Sequence, residues 1–413
     1  MSVDLFFPIK GSQESFRVGP LGRDIDGFAA WLAAQGYAHR TAEYKLWLVR
    51  SLSRWLEKEG LGIEDLDERR LQAFQLSGQV QGKPGGVVRT GGALLSLLRE
   101  KGRIPAAPAD PVSDDPIEQI ERRYTSFLVN ERGLSSAAVR CYVPIVRSFL
   151  SERFGTQGVV LNDLVAQDAN RYILRQSQRL SRTRTKLLAT ALRSFLRHLY
   201  QRGDIAVDLA SVILPRTNWR QASLPKALAP EQVELLLESC DRQTTVGRRD
   251  YAILLLLARL GLRANEVVMM TLDDLDWNKG VVIVSGKSQR REPLPLPQDV
   301  GEALVAYLRD GRPPCSTRRL FVRIPAPHRG FSCSASIRDV VGRALACAGI
   351  DPPFKGSHML RHSLATTMLN NGASLEDIGQ ILRHRNPETT QIYAKLDSAA
   401  LRTLALAWPG GAR

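Results

Sequence analysis

The sequence predicts a mainly α-helical protein in three parts, with one small antiparallel β-sheet confined to the last part. Apolar residues recur at helical spacing through the first two parts, as at Tyr142, Ile145, Val146 and Phe149. Two proline-rich stretches, IPAAPADPVSDDP at 104–116 and LPRTNWRQASLPKALAP at 214–230, cannot continue a helix and read as linkers. Extended runs stand out only after the second linker, as VVIVSG (281–286) and EPLPLP (292–297). The expected parts are therefore residues 1–105, 115–213 and 226–413.

The first two parts match each other in register. FAAWLAAQGYAHRTAEYKLWLVRSLSRWL begins at Phe28 and YTSFLVNERGLSSAAVRCYVPIVRSFL at Tyr124. Trp31-Leu32 aligns with Phe127-Leu128, Gly36 with Gly133, and Val49-Arg50-Ser51 with Val146-Arg147-Ser148. Asp65-Leu66 aligns with Asp163-Leu164, and LLSLLREKGRI (94–104) with FLRHLYQRGDI (195–205). The pattern reads as a duplicated helical unit of roughly 90 residues. Arg40, Lys45, Arg50 and Arg54 of the first copy are expected to be exposed, on a solvated or DNA-facing side.

In the third part, Ala229-Pro230-Glu231 opens a helix with proline at its first position. YAILLLLARLG reads as a buried helix ending at Gly261. VVIVSG and EPLPLP, joined by KSQRR, read as a hairpin with a basic tip, and the prolines of the second run suit an edge strand. SASIRDVVGRALACAG (334–349) is an amphipathic helix. Ser357 is expected to cap HMLRHSLATTMLNN, which ends at Gly372, and Ser374 with Asp377 forms a capping box for LEDIGQIL. Asn386 and Pro387 start a last short helix, with Tyr393 about two turns along it.

Lys and Arg total 57 against 42 Asp and Glu, a formal net charge of +15. Such a surplus favours a polyanionic partner, nucleic acid first. The opening MSVDLFFPIKGSQESF lacks the basic start and apolar core of an export signal. The most apolar run, 251–262, is too short to span a bilayer and contains Arg259, so no membrane partner is expected. The five cysteines are scattered, odd in number and without a CxxC pair, which excludes a disulfide framework or zinc site and suits a cytoplasmic protein.

Four short motifs carry candidate chemistry. In HMLRH, His358 and Arg361 lie three apart on one helix face, a cation beside an imidazole, suited to a phosphate. In GLRANE, Arg263 follows a buried helix and asks for an anion, with Glu266 near enough to orient it. In SGKSQRR, Lys287 opens the hairpin tip and can reach into a groove. In LRHRNPETTQIYAKL, His384 precedes Tyr393. Each has an ordinary reading when taken singly: a helix-face pair, a surface ion pair, a solvated turn, a half-buried core tyrosine.

Taken in order, these motifs resemble the catalytic domain of lambda-integrase-type tyrosine recombinases. GLRANE looks like the family's first arginine box, VSGKSQRREPLPLP its lysine hairpin, HMLRHSLATTMLNNG its His-x-x-Arg helix, and LRHRNPETTQIYAKL its final histidine and nucleophile. The likeness covers about 226–413 strongly and 115–213 more loosely. It implies a DNA breaking-rejoining enzyme fold preceded by helical SAM-like domains. It also implies site-specific recombination through a 3′-phosphotyrosyl link on Tyr393, without metal, ATP or other cofactor. Arg263 and Arg361 would clamp the phosphate, with His384 donating a hydrogen bond. Lys287 would protonate the leaving 5′ oxygen, and His358 would assist proton transfer from the tyrosine. Glu266 would have a supporting role. The implied partner is double-stranded DNA, bound as a homo-oligomer joined through the apolar tail Leu401, Leu404, Leu406 and Trp408. The protein would sit in the cytoplasm, on the nucleoid when DNA-bound. A catalytically silent DNA-binding relative and a type IB topoisomerase-like enzyme are the alternatives. One departure stands out: the family usually has Leu-Gly-His where this chain has Leu382-Arg383-His384.

Overall fold

The computed structural model describes residues 3–7, 13–78, 84–106, 115–155, 158–213, 226–286, 291–384 and 386–396. Its first stretch folds as α1 (Ile25–Ala34), α2 (His39–Lys58), α3 (Glu68–Leu76) and α4 (Pro84–Glu100). The next folds as α5 (Pro116–Ser126), widening into a π turn at Phe127–Glu131, then α6 (Ser136–Phe154), α7 (Ala166–Ser177) and α8 (Arg182–Arg202). Short polar side chains start several of these helices: Asp67, Asp115, Ser135 and Ser181 each accept a backbone N–H of the first turn. Compactness groups Met1–Ala106 with Gln221–Arg413 and sets Ala107–Arg220 apart. Each of the three stretches nevertheless buries an apolar core of its own.

The positions that align between the first two stretches share their environments. Leu32 and Leu128 are fully buried, as are Val49 and Val146, and Ile104 and Ile205 are both in cores. Gly36 and Gly133 have φ of 74° and 56°, and Gly102 and Gly203 have 64° and 77°, each just past a helix end where the left-handed region favours glycine. Gly36 answers a second demand. The backbone N–H of His328 donates to the Gln35 carbonyl (3.2 Å), and a Cβ on Gly36 would fall 1.9 Å from His328 Nε2. Two of the four expected surface cations of the first stretch prove to be engaged instead. Lys45 donates to Thr90 Oγ1 (2.9 Å), and Arg50 donates to the Ser15 carbonyl while lying over the Trp47 ring. Arg40 and Arg54 are exposed.

The third stretch is built around α10 (Thr245–Arg259), whose residues 252–257 are all buried. Packed with it are α9 (Pro230–Glu238), α11 (Ala264–Met269), α12 (Gln298–Asp310), α13 (Ala335–Cys347) and α14 (His358–Asn370), and α15 (Leu375–Ile381) packs on α14. The sheet has order β1-β2-β3, all antiparallel: β1 (Leu275–Asp276), β2 (Val281–Ser285) and β3 (Arg291–Pro295). Val282 pairs Leu294 and Ile283 pairs Pro293, so the proline-bearing strand is an edge, as its missing N–H groups require. The hairpin tip, including Lys287, lies outside the described residues, and so does the apolar tail from 397 onward.

Two local expectations are corrected. Ser357 precedes α14 with helical backbone and makes no side-chain cap, and the helix stops at Asn370, before Gly372. Tyr393 is not two turns into one helix. Asn386 caps a single 3₁₀ turn, Pro387–Thr389, and a second 3₁₀ turn, Gln391–Leu396, carries the tyrosine. The physical reason is tertiary: Tyr393 must drop into a small core with Ala365, Ile378 and Leu382, and tighter turns bring it there.

Candidate active site

The site is assembled where two chain reversals meet a helix. The first follows α10. Gly261, at φ 58°, turns the chain so that Arg263 becomes the residue before α11. Glu266 folds back over that start, its Oε2 accepting the Arg263 backbone N–H (2.8 Å) and its Oε1 the Arg263 Nη1 (2.8 Å). Glu266 is buried. Burial pushes its carboxyl pKa up, but the Arg263 N–H, the Arg383 charge and the Arg263 guanidinium outweigh it and hold the group below its ordinary range.

The second element is α14. Arg361 is 4% exposed, and its guanidinium donates to the carbonyls of Gly261 and Leu382. It thus stitches the reversal after α10 to the one after α15. Burial, then the nearby Arg263 and Arg383 charges, bring its pKa down to about 10, so it stays a cation at neutral pH. His358, one turn earlier, keeps an exposed surface. Partial desolvation, then Arg361 and Arg263, lower its pKa.

The third element is the reversal after α15 and the two 3₁₀ turns. His384 Nδ1 lies 2.8 Å from Thr390 Oγ1. Burial first, then Arg361 and Arg263, bring its pKa down to about 4, so the ring is neutral at pH 7 and Nε2 is the nitrogen left for a ligand. Tyr393 is 1% exposed, with its hydroxyl 2.8 Å from His362 Nδ1. Burial raises the phenol to about 12, against a lowering pull from Arg361. His362 is lowered to about 4, by burial and then by His358 and Arg361. A neutral imidazole there can accept the phenolic hydrogen. An open cavity of about 1150 Å³ borders this element, reaching His384, Arg383, Thr390 and Glu292.

Arg263, Glu266, His358, Arg361, His384 and Tyr393 thus lie on elements that meet at one site, while Lys287 is outside the described residues. Sequence reasoning singled out His358 as the partner of the tyrosine, yet the histidine within hydrogen-bond reach is His362. The signal was present in HMLRH, since His362 follows His358 by four and shares its helix face. Thr390 was missed because nothing local marks it. Arg383 was noticed only as a departure.

The neutral histidines have a consequence for stability. His362 and His384 titrate near 4 in the folded chain, against an ordinary value of 6.5. Between those values the unfolded chain binds more protons, so stability is fully present above 6.5 and is lost as pH falls towards 4. Melting temperature followed from pH 8 to pH 4 is expected to drop within that window. The drop should be smaller in His362→Gln and His384→Gln, and an equal drop in both variants counts against this origin.

The phage integrase family pattern matches residues 226–399. The chain is 42% identical to an integrase/recombinase of Sinorhizobium fredii (strain NBRC 101917 / NGR234), over 96% of each chain. It is 32% identical to the tyrosine recombinase XerD of Listeria monocytogenes (serotype 4b, strain F2365), over 68% of this chain and 94% of that one. Among solved structures, XerH recombinase bound to palindromic difH substrate superposes with TM-score 0.53 at 19% identity, covering 89% of this chain and 96% of its own. The Tn1549 transposon integrase with circular-intermediate DNA gives TM-score 0.53 at 20% identity, covering 70% and 99%.

Proposed function

The chain belongs to the tyrosine recombinases of the phage integrase family and is a site-specific DNA recombinase, and from that premise we propose that Tyr393 is its nucleophile. The observation that carries this reading is a buried phenol held against a neutral His362, beside the cationic Arg361. The tyrosine oxygen attacks a DNA phosphorus. The new bond is O–P, the bond broken is P–O5′, and the link left on the protein is a 3′-phosphotyrosyl ester. Negative charge gathers on the non-bridging oxygens, where Arg263, Arg361 and the Nε2 of His384 stabilise it. His362 accepts the phenolic proton, with His358 at the rim of the same helix face. Lys287 gives a proton to the departing 5′ oxygen. Rejoining reverses these steps and conserves the bond energy.

Incubation with duplex from the DNA flanking the gene, resolved on a denaturing gel, tests the reading. A covalent protein–DNA band is expected, and its absence counts against it. Relaxation of any supercoiled plasmid by the lone protein would point instead to topoisomerase-like action. The partner is double-stranded DNA, held mainly through phosphates, so affinity is expected to fall steeply with salt.

The helical stretches before the catalytic part act, on this reading, as duplicated modules, the second gripping duplex DNA and the first extending the footprint or making protein contacts. The engagement of Lys45 and Arg50 within the first module favours protein contacts. The apolar tail after Tyr393 joins protomers into a homo-oligomer on DNA, linking assembly to cleavage. A chain truncated at Asp397 is expected to keep its melting temperature and lose recombination. Full recombination by the truncated chain sinks the tail's role.

A further inference from the structure

Arg383 occupies a backbone position that asks for glycine. Among the described residues it is the one non-glycine with positive φ, at 54°. The hydrogen bonds around it explain why. The Arg383 N–H donates to the Gln380 carbonyl (2.9 Å), and the His384 N–H donates to that of Gly379 (2.9 Å). That pair closes α15 as a Schellman turn, with Arg383 at the left-handed position, where a Cβ is disfavoured. The glycine expected there would meet no such penalty.

The side chain offers the compensation. Arg383 is 8% exposed at its side chain, and its Nη2 lies 2.8 Å from Oε2 of Glu266, whose side chain is 5% exposed. The two residues are 117 apart in sequence. Glu266 Oε1 and Oε2 simultaneously hold the Arg263 guanidinium and backbone N–H. One buried carboxylate therefore joins the start of α11 to the turn that delivers His384. The same turn is tied from its other side, where the Leu382 carbonyl accepts from Arg361. A glycine could close the helix equally well, but it could not reach Glu266.

We propose that Arg383 is a positioning residue: through Glu266 it locks Arg263 and the turn bearing His384 into one frame for the phosphate. The proposal rests on the recombinase reading of the site.

Arg383→Gly is the decisive variant, because glycine suits the turn and removes only the side chain. Full-length wild type, Arg383→Gly, Glu266→Gln and the double variant are compared in two ways. The first is urea unfolding without DNA. Coupled effects, with the double variant losing less stability than the sum of the singles, support the clamp, and additive effects overturn it. The second is single-turnover formation of covalent product on duplex from the DNA flanking the gene. Arg383→Gly is expected to slow it about 10- to 100-fold at unchanged DNA affinity, with partial recovery in Arg383→Lys. An Arg383→Gly rate equal to wild type overturns this proposal alone. Absence of product from wild type overturns the nucleophile reading and the positioning role together, while the unfolding cycle still reports on the ion pair.

Discussion

Tyr393→Phe is expected to fold, bind DNA and form no covalent protein–DNA product. The ring stays in its core with Ala365, Ile378 and Leu382, so packing is kept. The hydroxyl's partner is His362 Nδ1, and losing that bond costs about 1 kcal/mol. Melting temperature should therefore move little, and DNA affinity should hold, since phosphate contacts elsewhere supply it. Product should fall by at least about 10⁴-fold, as when other nucleophiles are removed. With the phenol at about 12 in the free chain, roughly one molecule in 10⁵ is ionised at pH 7. On the proposed reading, reaction near neutral pH depends on His362 as proton acceptor, 2.8 Å from the phenol, and on the bound phosphate drawing in the guanidiniums. Covalent product from Tyr393→Phe would place the nucleophile elsewhere.

Arg361→Ala is expected to damage both fold and catalysis. The side chain is 4% exposed and serves two carbonyls, those of Gly261 and Leu382, on reversals far apart in the chain. Truncation leaves both acceptors without that partner in a buried setting, a loss of about 2–4 kcal/mol. On the proposed reading it also removes a cation that clamps the phosphate, worth about 10³-fold in the chemical step. Arg361→Lys keeps the charge, but a single ammonium cannot reproduce the planar fork that bridges the two carbonyls. It should recover part of the stability and little of the rate. Urea unfolding and single-turnover cleavage separate the two losses. A stable, active Arg361→Ala chain would remove this residue from the account.

Much of this molecule was legible before any coordinate. The buried part of the helix 245–259 showed in the apolar run 251–261, though not its start at Thr245; the hairpin showed in two extended runs, and the edge strand in its prolines. Ser374 and Asp377 announced their capping box, which the structure contains. The aligned glycines past helix ends in the first two stretches take left-handed backbone, as their chemistry allows. The failures were also informative. Ser357 looked like a cap but makes no capping bond, and Tyr393 looked helical but sits on a 3₁₀ turn. For Tyr393, packing with Ala365, Ile378 and Leu382 decided the local backbone.

What the sequence by itself determined is the order of helices and strands and the residue types that can hold a phosphate. Both depend on hydrogen bonds and apolar spacing within a few residues. Only the tertiary structure decided which of those residues meet. It set His362 against the tyrosine in preference to His358, gave Arg361 two carbonyls to bridge, and turned an arginine at a glycine position into a partner for Glu266. The physical reason is distance along the chain. The pair between residues 117 apart forms because packing brings both into one buried setting, and no local pattern encodes that partnership.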